Sequence, residues 1–142
     1  MRWAVAAAVF ASLAMAPPAL AADTAAPASL TVTVLNVSDA GGQIQIGVYD
    51  EVGFTAKHGT PLAGKITAAR PGTMTVTIEG LAPGIYAVKM FQDVNRNGYF
   101  DFGFKFTEPY GFSNDPAAPV PSFDDAKFAL NAGSNAITVT LH

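Results

Sequence analysis

From residue 30 onward, hydrophobic and polar positions alternate with a period of two, the spacing of a half-buried β-strand. Leu30–Leu35 sets Leu30, Val32 and Val34 against intervening threonines. Gln43–Tyr49 places Ile44, Ile46 and Val48 on one face, and Thr73–Ile78 does the same with Met74, Val76 and Ile78. Ala136–Leu141 closes the chain on the same pattern. Ile85–Phe91 is a more continuous apolar run, as expected of a central strand covered on both faces. Short strands near Lys65–Ala68 and Lys127–Leu130 bring the count to about seven, punctuated by Gly, Pro, Asn and Asp. This spacing predicts an all-β domain, an antiparallel β-sandwich. Its core is predicted to hold Val32, Val34, Ile44, Ile46, Val48, Val76, Ile78, Tyr86, Val88, Ile137 and Val139. One helical turn is expected after Pro121, where Ser122 stands three residues before Asp125 as in a capping box. Asp124 and Asp125 then favour the first turn of that helix and are not read as a catalytic pair.

The first residues follow a different pattern. Arg2 precedes an apolar run from Trp3 to Met15, Pro17 and Pro18 break any helix, and Ala19-Leu20-Ala21 forms a small-x-small cleavage site. Residues 1–21 are therefore expected to be an export signal, too short in its apolar part for a spanning helix. Residues 22–29 read as a flexible leader, and residues 30–142 as one domain. No transmembrane segment is expected after cleavage.

Composition narrows the chemistry. Half of the 142 residues are hydrophobic, 13% are charged, and eight basic against eleven acidic residues leave a formal charge of −3. Cleavage would remove one base, Arg2, and no acid, moving the charge to −4. Such a chain is not built to neutralise phosphates, so nucleic acid is not an expected partner. No cysteine is present, which excludes disulfides, thiol catalysis and a lipid-modified cysteine. The two histidines, His58 and His142, do not make a His-rich metal centre.

The segment with most chemical character is Asp93-Val-Asn-Arg-Asn-Gly-Tyr-Phe-Asp101. Asp93, Asn95, Asn97 and Gly98 follow the start of a calcium loop, in which alternate side-chain oxygens converge while glycine permits the sharp turn. Tyr99 could add its carbonyl and Asp101 stands at the ninth position, so Asp93, Asn95, Asn97, Tyr99 and Asp101 are the candidate metal ligands, with calcium the candidate ion. Phe104 replaces the twelfth-position Glu of an EF-hand, which excludes that motif; Glu108 could fold back as a substitute. The same residues equally describe a hairpin at Asn97-Gly98 braced by Asp and Asn side chains. Gly84, Gly98 and Gly111 are read as turn glycines.

Phe100, Phe102, Phe104 and Phe106 alternate with other residues, so an extended strand would project all four rings from one face. They are expected to contribute to the core. A stacking platform for sugars or peptides is the alternative, with Tyr99, Tyr110 and Phe112 as candidate ligand-facing aromatics. No hydrolase elbow, zinc-protease motif or phosphate loop occurs. Ser113 and His58 lack any sequence support as a catalytic pair.

Leu81-Ala-Pro-Gly-Ile-Tyr-Ala-Val88, then Asp93 to Asp101, Glu108-Pro-Tyr-Gly-Phe-Ser-Asn114 and Pro121-Ser-Phe-Asp-Asp-Ala-Lys-Phe128 occur in that order. As an ordered set they resemble the exported bacterial domain-of-unknown-function family 2141, over Leu30 to Leu141. The resemblance implies an immunoglobulin- or transthyretin-like sandwich in a Gram-negative envelope, periplasmic or secreted, and implies no established activity. Similar sequences have a Gly-x-Pro element before the Glu. The segment from Asp101 to Glu108 lacks it, which weakens the expectation that Glu108 folds back. The expected function is that of a non-enzymatic binding or structural module, with an envelope protein, peptide or glycan as partner. A weak calcium-binding module and an unrecognised envelope hydrolase are the alternatives.

Overall fold

A computed structural model of the chain describes residues 26–103 and 107–142. The expected export signal lies outside the described residues, as do Phe104 and Phe106. Among the described residues, eight strands and two short helices run in the order β1 (Ala28–Val37), β2 (Gln43–Tyr49), α1 (Glu51–Thr55), β3 (Ala63–Ala68), β4 (Gly72–Leu81), β5 (Gly84–Asp93), β6 (Tyr110–Phe112), α2 (Phe123–Ala126), β7 (Phe128–Leu130) and β8 (Gly133–Thr140). They form two sheets. One has the order β4-β1-β8; the other has the order β3-β2-β5-β6, with β7 also paired to β5.

The alternation that marks the strands also sets which residues are inside. Val32, Val34, Ile44, Ile46, Val48, Val76, Ile78, Val88 and Val139 are all buried between the sheets, and Tyr86 and Ile137 pack at the margin. Leu30, Met90, Leu81 and Leu141 complete this core. At about 25 cal/mol per Å² of apolar surface removed from water, each such side chain contributes roughly 1.5–3 kcal/mol. The order starts earlier than expected. Ala28, placed by sequence in the leader, is 1% exposed and already pairs with Leu81.

Near its end β1 breaks its own period. Asn36 adopts φ 63°, and the register of β1 on β4 shifts between Val34 and Val37. The irregularity turns Val37 inward where strict alternation would expose it. The Asn36 side chain donates to the Leu141 carbonyl at 2.8 Å, so the shift is tied to the last strand.

The sandwich is not wholly antiparallel. β8 lies parallel to β1, with Val32 beside Ile137 and Val34 beside Val139. After β7 pairs with β5, the chain crosses at Asn131–Ala132 from one sheet to the other and enters beside the start of β1. A crossover, unlike a hairpin, delivers a parallel neighbour.

The outer face of β5 is covered over Ala87, while Ile85 on the same face is 52% exposed, so the strand is not covered on both faces along its whole apolar run. Phe54 of α1 and Phe123 and Ala126 of α2 form a second buried cluster over Ala87. The expected capping box at α2 is present: the Ser122 hydroxyl accepts from the Asp125 N–H, and the Asp125 carboxylate accepts from the Ser122 N–H. α1 is capped by Asp50, whose carboxylate accepts from the Gly53 N–H at 2.8 Å. Further along this face of β5, Lys89 reaches back to Phe54 of α1 and Phe91 packs against Phe100.

Candidate functional site

β5 ends at Asp93, and the loop that follows is organised around that carboxylate. Asp93 is fully buried. Its Oδ2 accepts from the Gly98 N–H at 2.9 Å, Gln45 Nε2 at 2.9 Å and Gln43 Nε2 at 3.2 Å; its Oδ1 accepts from the Asn97 N–H at 3.2 Å. Gln43 and Gln45 reach it from β2, on which Gln43 is the direct partner of Asp93. Burial works against the charge, but the hydrogen bonds from Gly98, Gln43, Gln45 and Asn97 together hold the carboxyl below its ordinary value of 3.8.

The two asparagines act in both directions. Asn95 Oδ1 accepts from the Asn97 N–H and Asn97 Oδ1 from the Tyr99 N–H, which fixes how each amide is turned. Both Nδ2 groups then donate to Asp101 Oδ2, at 2.7 and 2.9 Å. Glu108 closes the loop from beneath. Although the Gly-x-Pro element is missing, its side chain does fold back and is fully buried. Oε1 accepts from the Val94 N–H at 2.9 Å and Oε2 from the Asp101 N–H at 3.0 Å.

The asparagine oxygens accept backbone N–H groups, and the atoms facing Asp101 are amide donors. Among the described residues, no group of three or more His, Asp or Glu side chains is placed to hold a metal ion. The geometry supports the braced turn. Within it Arg96 (φ 58°) and Gly98 (φ 83°) are left-handed, and Asn97 is not. The loop is therefore wider than a two-residue Asn97-Gly98 hairpin, because it wraps the Asp93 carboxylate.

The loop delivers Phe100 to the outer face of the five-stranded sheet. Its ring centroid lies 5.5 Å from Phe91, 5.4 Å from Tyr110 and 6.2 Å from Phe102. The chain of rings continues through Phe112 and Phe54 to Phe123, at separations of 5.9, 6.2 and 5.8 Å. It runs from a buried end at Phe54 and Phe123 to an open end, where Phe100 is 40% and Phe102 75% exposed. The expectation that these two phenylalanines fill the core is thus corrected. Phe102 meets Thr107 in one isolated bridge. Of the three other candidate aromatics, Tyr99 projects into solvent, while Tyr110 and Phe112 are half-buried members of the ring chain.

Two of the three expected turn glycines serve other ends. Gly111 lies within β6, where a Cβ would stand 2.5 Å from the Thr140 carbonyl oxygen, so it lets β6 approach β8. Gly84 opens β5 against the Tyr86 ring, and the Tyr86 hydroxyl donates to the Ala82 carbonyl at 2.7 Å to tie the preceding turn.

Lys89 is a site residue that the alternation does not flag. Its Nζ donates to the Phe54 carbonyl at 2.6 Å and stands 4.5 Å from the Phe54 ring centroid and 5.0 Å from that of Tyr49. It pins the end of α1 to the sheet. Ser113, by contrast, is sealed. It is fully buried, with its hydroxyl accepting from the Val88 N–H and donating to the Ala126 carbonyl, and so is not placed to act as a nucleophile.

Fold and site together define a small two-sheet β-sandwich with a braced acidic loop and a partly open aromatic face. The chain belongs to the bacterial family DUF2141, described as an uncharacterised protein conserved in bacteria, which matches residues 32–138. No curated protein and no solved structure gives a significant match.

Proposed function

We propose that this is an exported, non-enzymatic binding module of the bacterial envelope. The binding face is the outer surface of the five-stranded sheet around Phe91, Phe100 and Tyr110. The observation that carries this reading is the chain of rings whose open end is held by the Asp93–Glu108 loop. Aromatic surface left in water is costly for a monomer, and rigidly held aromatics are typical of recognition surfaces. The loop's internal hydrogen bonds favour a scaffold that presents Phe100 over one that captures an ion.

The export signal read from residues 1–21 supports an envelope location, and cleavage after Ala21 would leave Ala22 as the mature N-terminus. Mass spectrometry of the envelope fraction checks that point; intact Met1 in the cytosol would refute it. Binding is tested by titrating isotope-labelled mature protein with soluble envelope glycans and peptides. The expected result is amide shifts centred on Phe91, Phe100 and Tyr110, lost in a folded Phe100→Ala variant. Shifts confined to other surfaces would sink the assignment of this face.

A further inference from the structure

The outer face of the five-stranded sheet carries a trough beside the ring chain. Gly64 of β3 and Gly47 of β2 are cross-strand partners, and Gly47 is in turn the partner of Lys89 on β5. A groove of about 290 Å³ lies along this row, with the Tyr49 ring packed over Gly47, where an added Cβ would stand 2.6 Å from it. Pro61 and Ile66 border it on one side, Lys89 and Phe91 on the other. That volume lies at the lower end of small-ligand sites, roughly 300–1,000 Å³, and suits a single ring unit.

Two lysines border the groove, Lys65 and Lys89. Lys65 Nζ donates to the Thr77 carbonyl at 3.1 Å. No carboxylate among the described residues pairs with Lys89, the ion pair formed among them being Lys127–Asp124. The Lys89 ammonium has one carbonyl partner and two aromatic neighbours, none of which neutralises its charge. Burial pulls its pKa below the ordinary lysine value, the sign of an under-solvated cation. The groove therefore complements an anion. It does not suit an extended peptide, because β2 is paired on both sides across this face and offers no free backbone groups. A peptide laid there would leave its own amides unpaired. A pyranose ring has no such need: its C–H face stacks on an aromatic ring while its hydroxyls stay hydrated at the open side.

We propose that this groove binds an acidic sugar unit, with its ring against Phe91 and its carboxylate paired with Lys89. The inference rests on the outer sheet face being the binding face, and names the ligand class for it.

The probes are oligosaccharides of glucuronic and galacturonic acid, a glucose oligomer of equal length and a short polyglutamate peptide, titrated into isotope-labelled mature protein. The acidic sugars should shift the amides of Gly47, Gly64, Lys89 and Phe91 and weaken as salt rises. The neutral oligomer should bind at least tenfold more weakly. Lys89→Gln should bring the acidic sugars down to the neutral level. Ile66→Glu, at an exposed position on the groove wall, should weaken the acidic sugars several-fold without touching α1, and so covers the case in which Lys89→Gln unseats that helix. Equal affinity for neutral and acidic sugars at Phe91, with no effect of Ile66→Glu, would overturn the inference and leave the binding face standing. Polyglutamate binding as tightly as the uronates would overturn the sugar assignment. No perturbation of the outer face by any probe would overturn the inference and count against the wider reading.

Discussion

Asp101 and Glu108 hold each other through a reciprocal pair of hydrogen bonds. The Asp101 N–H donates to Glu108 Oε2 at 3.0 Å, and the Glu108 N–H donates to the Asp101 carbonyl at 3.0 Å. The second carboxylate oxygen of Glu108 takes the Val94 N–H, so one buried side chain joins the two ends of the loop. Glu108 thus gathers backbone N–H groups from both ends of the loop around one carboxylate.

Glu108→Ala should therefore destabilise the domain by about 2–4 kcal/mol, since it leaves the N–H groups of Val94 and Asp101 without their acceptors. Glu108→Gln retains one acceptor oxygen and should cost roughly half as much. Urea unfolding of the three proteins gives the order, and a Gln variant as damaged as the Ala variant would show that the charge, not the pair of acceptors, is what matters.

Asp93 predicts a pH dependence with a definite sign. Its folded pKa is below the ordinary 3.8, so it contributes stability that is fully present above that value and lost as pH falls from there through the folded pKa. Asp125, held low by the hydroxyl and N–H of Ser122, titrates in the same window. The comparison is therefore between the native chain and Asp93→Asn. The variant should cost about 2–3 kcal/mol at neutral pH, a difference that narrows below pH 4. A constant difference across that range would remove the linkage.

Calcium separates the braced turn from a metal site. For a turn held by its own hydrogen bonds, millimolar calcium is expected to leave the melting temperature unchanged. Gly98→Val should lower stability by about 1–3 kcal/mol without calcium, because φ 83° is costly for a β-branched residue. A Cβ at this position would meet nothing within 4 Å, so the cost is conformational, and Gly98→Asn should be milder. A calcium-dependent rise in melting temperature that Asp93→Asn abolishes would assign the loop to the metal instead.

Ser113 joins α2 to β5 through the sheet. Ser113→Ala leaves the buried Val88 N–H and Ala126 carbonyl without their side-chain partner and should cost about 1–3 kcal/mol. The loss should show as earlier thermal unfolding, with loosened packing of Phe123. An unchanged melting temperature would mean that another group satisfies those atoms.

The amino-acid sequence by itself determined seven of the eight strands among the described residues and which of their faces meet; β6 and α1 were not legible in it. Val32, Ile44, Val76 and Val88 stand at period-two positions, and β-branched side chains at that spacing have one way to leave water. It also determined the capping box at Ser122 and the family to which the chain belongs. Strand direction is not contained in alternation, which reads the same in either sense, so only the tertiary structure decided that β8 runs parallel to β1. Alternation also says that Phe100 and Phe102 share a face without saying whether anything covers it; the placement of α1 and α2 over Ala87 alone decided that this end of the sheet stays open. The fate of Asp93 and Glu108 was decided at the same level. Each carboxylate is satisfied by N–H and amide donors brought from β2 and from both limbs of the loop. Hydrogen-bonding partners that meet only when the chain has folded leave no mark in a local pattern of residues.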